Sequence, residues 1–343
     1  MVNFAKIKTQ TLYSILVFLP LFLFSAFRNG LGTDYYAYAN SYNYPYTSKN
    51  EFLFKFLFIT IPRIISHNDI TFFILTSFVV SFFFIKAIFK YSPLIILSIL
   101  IFVTQFYFIS FNAVRQFMVI ALFIYIGTKL ITDHRLLLYY IFVLCIAQIH
   151  LFMYLMLLFP LIGNKSFKTK YYWIIYTISC LMFLGYTFNL INIHKIFGFL
   201  SSFSFLSERL ILLEKSSTIF FGLYKTNYQL IVKNLIFLLI FLRISYYKTN
   251  NQIFWFNLFF FGMILQNILV GFSLISVRIG YIGDVALIIL VPLFINSFIK
   301  RNNRILLIIF FVIYFTSLFY YRFVIEGESE VFMKHSRAWV ERT

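Results

Sequence analysis

Long apolar segments alternate with short polar ones along almost the whole chain. A helix needs about 20 mostly apolar residues to cross the hydrocarbon core of a membrane. On that basis the candidate spans are 11–27, 70–89, 93–111, 113–128, 136–149, 151–162, 171–188, 228–245, 253–272, 281–299 and 305–321. Segments 136–149 and 151–162 are short for complete spans, which favours a hairpin that dips into the membrane or a pair of tilted helices. The pattern predicts an all-α bundle of about 11 transmembrane helices.

Two long outer loops, residues 28–69 and 189–227, and a tail, residues 322–343, are predicted between and after these segments. Within the first of them, Glu51–Ser66 is apolar but contains Lys55, Pro62 and Arg63, so we expect an interfacial or partly inserted helix there. No stretch between the apolar segments is long enough for a soluble domain. Residues 1–343 are therefore expected to form a single membrane domain.

The composition also indicates a polytopic membrane protein, since 62% of the residues are hydrophobic and 12% are charged, with a mean hydropathy of +0.88. The formal net charge is +18, which in a soluble protein would suggest a nucleic-acid partner. Here much of the positive charge lies in short turns, which is typical of an orientation signal, so no nucleic-acid partner is expected. The basic turns place the N-terminus in the cytoplasm. The apolar run after Lys6 and Lys8 resembles a signal sequence but lacks a convincing cleavage site, so we expect it to remain as the first helix.

Several common chemistries have no signature in the sequence. Cys145 and Cys180 lie inside apolar runs, where packing is expected instead of a disulfide. There is no paired-cysteine or HExxH metal spacing, no Walker loop, no GxSxG elbow and no run of acidic ligands. We therefore expect no metal and no cofactor. Any reaction would need a substrate that is already activated and that reaches the outer leaflet.

The predicted orientation places four polar clusters on the outer face of the membrane. Ionisable groups at the edges of spans carry a desolvation cost, which makes them candidates for a functional site. The clusters are Arg28 with Asp34, Arg115 with Gln116, Gln148 with His150, and Arg278 with Asp284.

The first cluster opens the first outer loop, in the run from Arg28 to Tyr38. Two glycines in this run allow positive φ angles and expose backbone amides to an anion. Tyrosines 35, 36, 38, 42, 44 and 46 follow, and sugars stack their apolar C–H faces on such rings. A carbohydrate site is one interpretation. The other is an interfacial aromatic belt with a positive flank.

The other clusters also allow two interpretations each. Arg115 and Arg278 lie at predicted turns between spans, where a guanidinium either binds phosphate or diphosphate or anchors the end of a span. Asp284 is a candidate ion-pair partner of Arg278. His150 either accepts a proton or donates to a phosphate oxygen, or forms a hydrogen bond between helices.

Taken in order, these motifs resemble the EpsG-like/Wzy group of bacterial polysaccharide polymerases, which includes O-antigen and capsule polymerases. The resemblance runs from about residue 27 to 295 and rests on the run Phe27 to Tyr38, on Glu51-Phe52, on Val114-Arg115-Gln116 with Ala121, on Ile149-His150, and on Arg278-Ile279 with Tyr281. Ser207-Glu208-Arg209-Leu210 stands where a basic and aromatic motif would be expected, so the long loop 189–227 departs from the pattern.

The resemblance implies a fold similar to other lipid-carrier (GT-C-like) glycosyltransferases and transfer of an oligosaccharide from undecaprenyl diphosphate to the non-reducing end of another lipid-linked unit. It implies a bacterial inner membrane protein with a periplasmic or extracellular active face, and, as partners, membrane lipid and a chain-length regulator protein. The implied diphosphate ligands are Arg115 and Arg278, assisted by Arg28. Asp34 is the first candidate for the general base and His150 the second, while Tyr35, Tyr38 and Gln116 would contact sugars.

Two other function classes remain open at this point. A flippase or transporter of lipid-linked oligosaccharide would favour ionisable groups near the midplane and related half-repeats, neither of which is evident. An O-antigen ligase or a membrane acyltransferase is the other class, and a ligase would share the arginines. Loss of a polymerase leaves one repeat unit on lipid A, loss of a ligase leaves none, and loss of a flippase traps the unit inside.

Overall fold

The computed structural model describes residues 2–45, 51–188, 190, 228–270 and 273–325. Within these residues the chain is helical and contains no β-strand. Helices α1 to α13 are, in chain order, Val2–Ala26, Tyr35–Asn43, 52–65, Ile70–Tyr91, Ile95–Tyr107, Val114–Thr132, Leu136–Ala147, Thr169–Thr187, Tyr228–Phe241, Asn250–Ile268, Ser273–Asp284, Leu287–Asn296 and Arg301–Tyr320. A 3-10 segment, Leu151–Leu161, follows α7, and α3 has a π-helical centre at Lys55–Thr60.

The described helices only partly account for the predicted spans. Ile70–Tyr91, Val114–Thr132 and Arg301–Phe323 are long and apolar enough to cross a membrane, and the bent pair Ile275–Asp284 and Leu287–Asn296 would add a fourth if it forms one span. Five further apolar helices are shorter, at 10–17 residues. The part of the chain that the structure describes is thus all-helical, as predicted, while the count of about 11 spans and the similarity to lipid-carrier glycosyltransferases stay predictions.

The chain groups into two compact units, one comprising 1–161 with 288–343 and the other 162–287. A single membrane domain would require the two units to pack together, and it stays a prediction. In the first unit α1 packs along α4, where the hydroxyls of Ser25 and Ser77 lie 2.7 Å apart. Helix α4 also packs on α6. Small polar residues at such crossings allow close backbone approach and supply hydrogen bonds between apolar helices.

Helices α10 and α11 of the second unit cross at two glycines. A Cβ atom on either Gly262 or Gly283 would collide with the backbone of the other residue. Beside this crossing the side chains of Asn234 and Asn267 exchange hydrogen bonds of 3.0 and 3.1 Å, and Asn267 donates to Ser179 at 3.2 Å. Glycine contact and a satisfied polar cluster are two ways in which helices associate in an apolar environment.

Two local predictions can be compared directly with these helices. The interfacial segment predicted at Glu51–Ser66 is a helix, at 52–65. The span predicted at 281–299 is wrong in its boundaries, because one helix ends at Asp284 and the next begins at Leu287. The helix Tyr35–Asn43 was not predicted, since its tyrosine, asparagine and serine content is typical of a loop.

Candidate anion-binding site

The loop that carries Arg28 is shaped by two glycines with positive φ. Gly30 has a φ of 76° and Gly32 a φ of 108°, conformations that side chains with a Cβ rarely adopt. The Leu31 amide donates to the Arg28 carbonyl at 2.8 Å, which closes the turn. The run of residues after α1 therefore folds back sharply before α2 begins at Tyr35.

This loop is fixed to the residues that precede α6. The Thr33 amide donates a hydrogen bond of 2.8 Å to the Oδ1 atom of Asn112. A Cβ on Gly32 would lie 3.0 Å from that oxygen and 3.3 Å from the Phe111 carbonyl. The absence of a side chain at Gly32 thus allows the two backbone segments to touch, and it brings Arg28 beside the N-terminal end of α6.

Arg28 is the buried cation of this site, with 4% of its surface exposed. Its Cζ atom lies 5.0 Å from the ring centroid of Phe73 and 4.7 Å from that of Phe111, so two aromatic faces contact the guanidinium. Among the described residues its Nε atom has no hydrogen-bond partner, and no carboxylate in that part of the chain forms an ion pair with it.

The charge on Arg28 persists at neutral pH. Burial lowers the pKa of Arg28 to about 10, while Tyr38, Tyr35, Tyr107 and Asp34 act in the opposite direction. A buried positive charge without a paired anion is costly. The arrangement is therefore one that an incoming anion would stabilise.

Arg115, in the first turn of α6, has partners that Arg28 lacks. Its Nη1 atom forms an ion pair with the Glu51 carboxylate, and its guanidinium lies 5.5 Å from the ring centroid of Phe54. A side-chain hydrogen bond also joins Arg115 to Tyr38. The charge of Arg115 is thus compensated within the protein.

Tyr38 connects the two arginines. Its hydroxyl bonds to Arg115, and it lies within electrostatic range of Arg28. Burial raises the pKa of the Tyr38 phenol, and Arg115 opposes that shift. The Tyr38 ring stacks on Phe72 with a centroid distance of 5.4 Å, which fixes the position of the hydroxyl.

The other candidates for sugar contact are more enclosed. Tyr35 stacks on Phe73 with a centroid distance of 4.3 Å and planes 3° apart. Because Phe73 and Phe72 cover one face of Tyr35 and Tyr38 respectively, a sugar could stack only on the opposite faces or bond to the hydroxyls. Gln116 is 2% exposed, inside the start of α6.

The two candidate bases differ in exposure. Asp34 is exposed and lies in the same loop as Arg28, and the Thr33 hydroxyl donates to its Oδ1 atom at 3.5 Å. His150 is 8% exposed, and its ring centroid lies 5.4 Å from that of Phe152. Gln148, two residues before His150, is exposed, and its carbonyl accepts from the Phe54 amide at 3.4 Å. This contact brings the 148–150 turn beside α3.

The expected pairing of Arg278 with Asp284 is wrong. Asp284 is buried and pairs with Lys233 of α9, while Arg278 is exposed and lies within α11 instead of in a turn. Six residues along an α-helix correspond to about 600° of rotation, so these two side chains point about 120° apart. Both belong to the second unit, whereas Arg28, Arg115 and His150 belong to the first.

Three residues of these arrangements had no role assigned from the sequence: Glu51, Asn112 and Lys233. Glu51 lies within one of the quoted motifs and Asn112 lies two residues before another, which begins at Val114, but the sequence indicates no partner for either. Lys233 is a charge inside the apolar segment 228–245, and a second buried charge of opposite sign at Asp284 was the available signal for that pair.

Three of the described helices are long and apolar enough to cross a membrane, which indicates a helical membrane protein. The chain belongs to the EpsG family, whose model matches residues 11–336. No curated protein and no solved structure matches it. Membership confirms the resemblance drawn from the motifs and indicates a glycosyltransferase-like polymerase of polysaccharide biosynthesis.

Proposed function

We propose that this protein polymerises lipid-linked oligosaccharide repeat units by glycosyl transfer. The donor is a sugar chain on undecaprenyl diphosphate, and the acceptor is the non-reducing end of another lipid-linked unit. The reaction takes place on the periplasmic or outer face of the bacterial cytoplasmic membrane. The observation that carries the proposal is the buried guanidinium of Arg28, which has no ion-pair partner among the described residues, in a member of a polysaccharide polymerase family.

The chemistry of the transfer needs positive charge more than it needs a cofactor. The anomeric carbon of the donor forms a bond to the acceptor oxygen and loses its bond to the diphosphate, which leaves with the electron pair. Arginine side chains placed beside the leaving group stabilise the negative charge that develops there. Arg28 supplies a cation that has no ion-pair partner among the described residues, with Arg115 in the same cluster. The assignment of Arg278 to the diphosphate stays a prediction from the sequence.

The proton of the acceptor hydroxyl must pass to a base as the new bond forms. Asp34 is the first candidate, because its carboxylate is exposed on the loop that also carries Arg28. His150 is the second candidate, as a base or as a donor to the diphosphate. Tyr35, Tyr38 and Gln116 are proposed to contact the sugars, and membrane lipid and a chain-length regulator protein are the expected partners.

The proposal is tested by polysaccharide banding in a strain that lacks the protein and is complemented with variants. Arg28→Ala is expected to give single repeat units in place of long chains at an unchanged level of protein in the membrane. Arg135→Ala is the matched control, since Arg135 is an exposed arginine in a short turn. Long chains from the Arg28→Ala protein would overturn the assignment of the diphosphate site.

The same strain without complementation distinguishes the function classes. A polymerase leaves one repeat unit attached to the final acceptor. Absence of any attached unit would indicate a ligase, and accumulation of the unit on the cytoplasmic side would indicate a flippase. Either of these results would overturn the proposed reaction.

A further inference from the structure

We propose that Glu51 is a positioning residue of this site. Through its ion pair it orients the guanidinium of Arg115, and with it the hydroxyl of Tyr38, toward a prenyl diphosphate held at Arg28. The inference rests on the proposed function and adds a residue to the same site.

The side chain of Glu51 is directed away from its own helix. Glu51 is the N-cap residue of α3, with extended backbone angles, yet its carboxylate makes no capping hydrogen bond. N-cap side chains usually accept from amides of their own first turn. The carboxylate instead pairs with Arg115, 64 positions later in the chain. Both side chains are mostly buried, at 18% exposed for Glu51 and 26% for Arg115.

Local helix energetics do not explain the position of Arg115. It is the second residue of α6, after the N-cap residue Ala113. The N-terminal end of a helix carries a partial positive charge, so a cation there is unfavourable. Glu51 offsets this repulsion. A positively charged side chain kept at a helix end that favours anions is an arrangement that suits an anionic ligand.

The contact between Glu51 and Arg115 also affects Tyr38, which interacts with both Arg115 and Arg28. The Tyr38 hydroxyl bonds to Arg115, and Arg28 is within electrostatic range of Tyr38. Rotation of Arg115 away from Glu51 would therefore remove the partner of Tyr38. A diphosphate carries more negative charge than a single carboxylate and can bond to both guanidiniums together.

When the carboxylate of Glu51 is removed, simple electrostatics and a positioning role predict opposite changes in the affinity for an anion. Glu51→Gln makes the site one charge more positive, so electrostatics alone predicts tighter binding of an anion. If Glu51 orients Arg115, the same variant binds the anion more weakly, because the guanidinium is no longer held in place.

Binding of farnesyl diphosphate to the full chain, purified in detergent, separates these outcomes. We expect Glu51→Gln to lower the affinity about tenfold, equivalent to about 1.4 kcal/mol. Glu51→Asp, which keeps the charge, is expected to recover part of this loss. Asp133→Asn is the matched control, since it adds the same charge at an exposed position just after the opposite end of α6. Unchanged or tighter binding by Glu51→Gln overturns the proposal.

A charge-reversed pair tests whether the contact serves only folding. The double variant Glu51→Arg with Arg115→Glu keeps an ion pair but moves the cation to the other helix. We expect it to reach the membrane at the wild-type level, even if Glu51→Gln does not, and to form no long chains. Long-chain polymer from the reversed pair would mean that the contact is structural, which overturns the positioning role.

Arg28→Ala separates a failure of this inference from a failure of the proposed function. If Arg28→Ala binds farnesyl diphosphate as the wild type does, the proposed diphosphate site is wrong, and this inference with it. If Arg28→Ala loses binding while Glu51→Gln keeps it, only the role of Glu51 is wrong.

Discussion

The ammonium of Lys233 pairs with the carboxylate of Asp284, 51 residues further along the chain. The two side chains are mostly buried, at 18% and 8% exposed, and Gln266 accepts a further hydrogen bond from Lys233 at 3.4 Å. Both charges lie in apolar helices, and each makes the burial of the other tolerable. The pair thereby sets how α9 and α11 face each other within the second unit.

Replacing one partner of the Lys233–Asp284 pair should destabilise the protein more than replacing both partners. Lys233→Met leaves the Asp284 carboxylate buried and unpaired, at a cost of about 3–5 kcal/mol. The double variant Lys233→Met with Asp284→Leu is expected to recover most of that loss, as measured by thermal unfolding in detergent. A double variant no more stable than Lys233→Met would contradict the paired role.

Substitution at Gly32 should disturb the Arg28 loop. Gly32→Ala places a Cβ at a φ of 108° and 3.0 Å from the Asn112 oxygen, so we expect about 1–3 kcal/mol of strain. Long-chain polymer should fall several-fold, while the neighbouring exposed Asn29→Ala should behave as the wild type. Banding patterns and membrane levels of both variants provide the measurement, and wild-type polymer from Gly32→Ala would be inconsistent with this loop geometry.

Two substitutions of Asn112 separate the effect of its hydrogen bond to the loop from the effect of an added charge. Asn112→Asp keeps an oxygen that accepts from the Thr33 amide but adds a negative charge at the loop that carries Arg28, so it should weaken farnesyl diphosphate binding with the fold intact. Asn112→Ala removes the hydrogen bond and should cost about 1 kcal/mol of stability. Equal diphosphate affinity in the wild type and Asn112→Asp would argue against an anion at this position.

The pH dependence of anion binding should report the cation at position 28. Because burial lowers the pKa of Arg28 to about 10, its charge is present below that pH and is lost as the pH rises through it. Binding should therefore be insensitive to this group near pH 7 and weaken above about pH 10. The burial penalty on the charged form is likewise present below the folded pKa and is relieved as the pH rises from about 10 toward the ordinary pKa of an arginine.

Arg28→Lys sharpens this test. A lysine has a lower intrinsic pKa than an arginine, and the same burial lowers it further, so the alkaline loss of farnesyl diphosphate binding should begin at a lower pH. Titration of binding between pH 7 and 10.5 measures the shift. Identical alkaline limits in the wild type and the variant would show that residue 28 does not hold the anion.

Part of the site could be predicted from the sequence. Arg28, Asp34 and Arg115 can be identified as candidates because charged residues at the edges of apolar segments carry a desolvation cost, and their positions are visible in a single sequence. The helix predicted near Glu51 followed from an apolar segment interrupted by Lys55 and Pro62. The partners of these charges were not predicted, and one expected pair, Arg278 with Asp284, was wrong.

The sequence alone determined that this protein is helical and apolar, because the lengths of its apolar segments match the membrane. It also determined which charges lie at the ends of those segments. Only the tertiary structure decided that Glu51 compensates Arg115, that Lys233 compensates Asp284, and that Arg28 has no such anion among the described residues. The physical reason is that helices apolar on all sides carry almost no signal of which face packs inward, so helix rotation, and with it every long-range pairing, depends on contacts between side chains far apart in the chain.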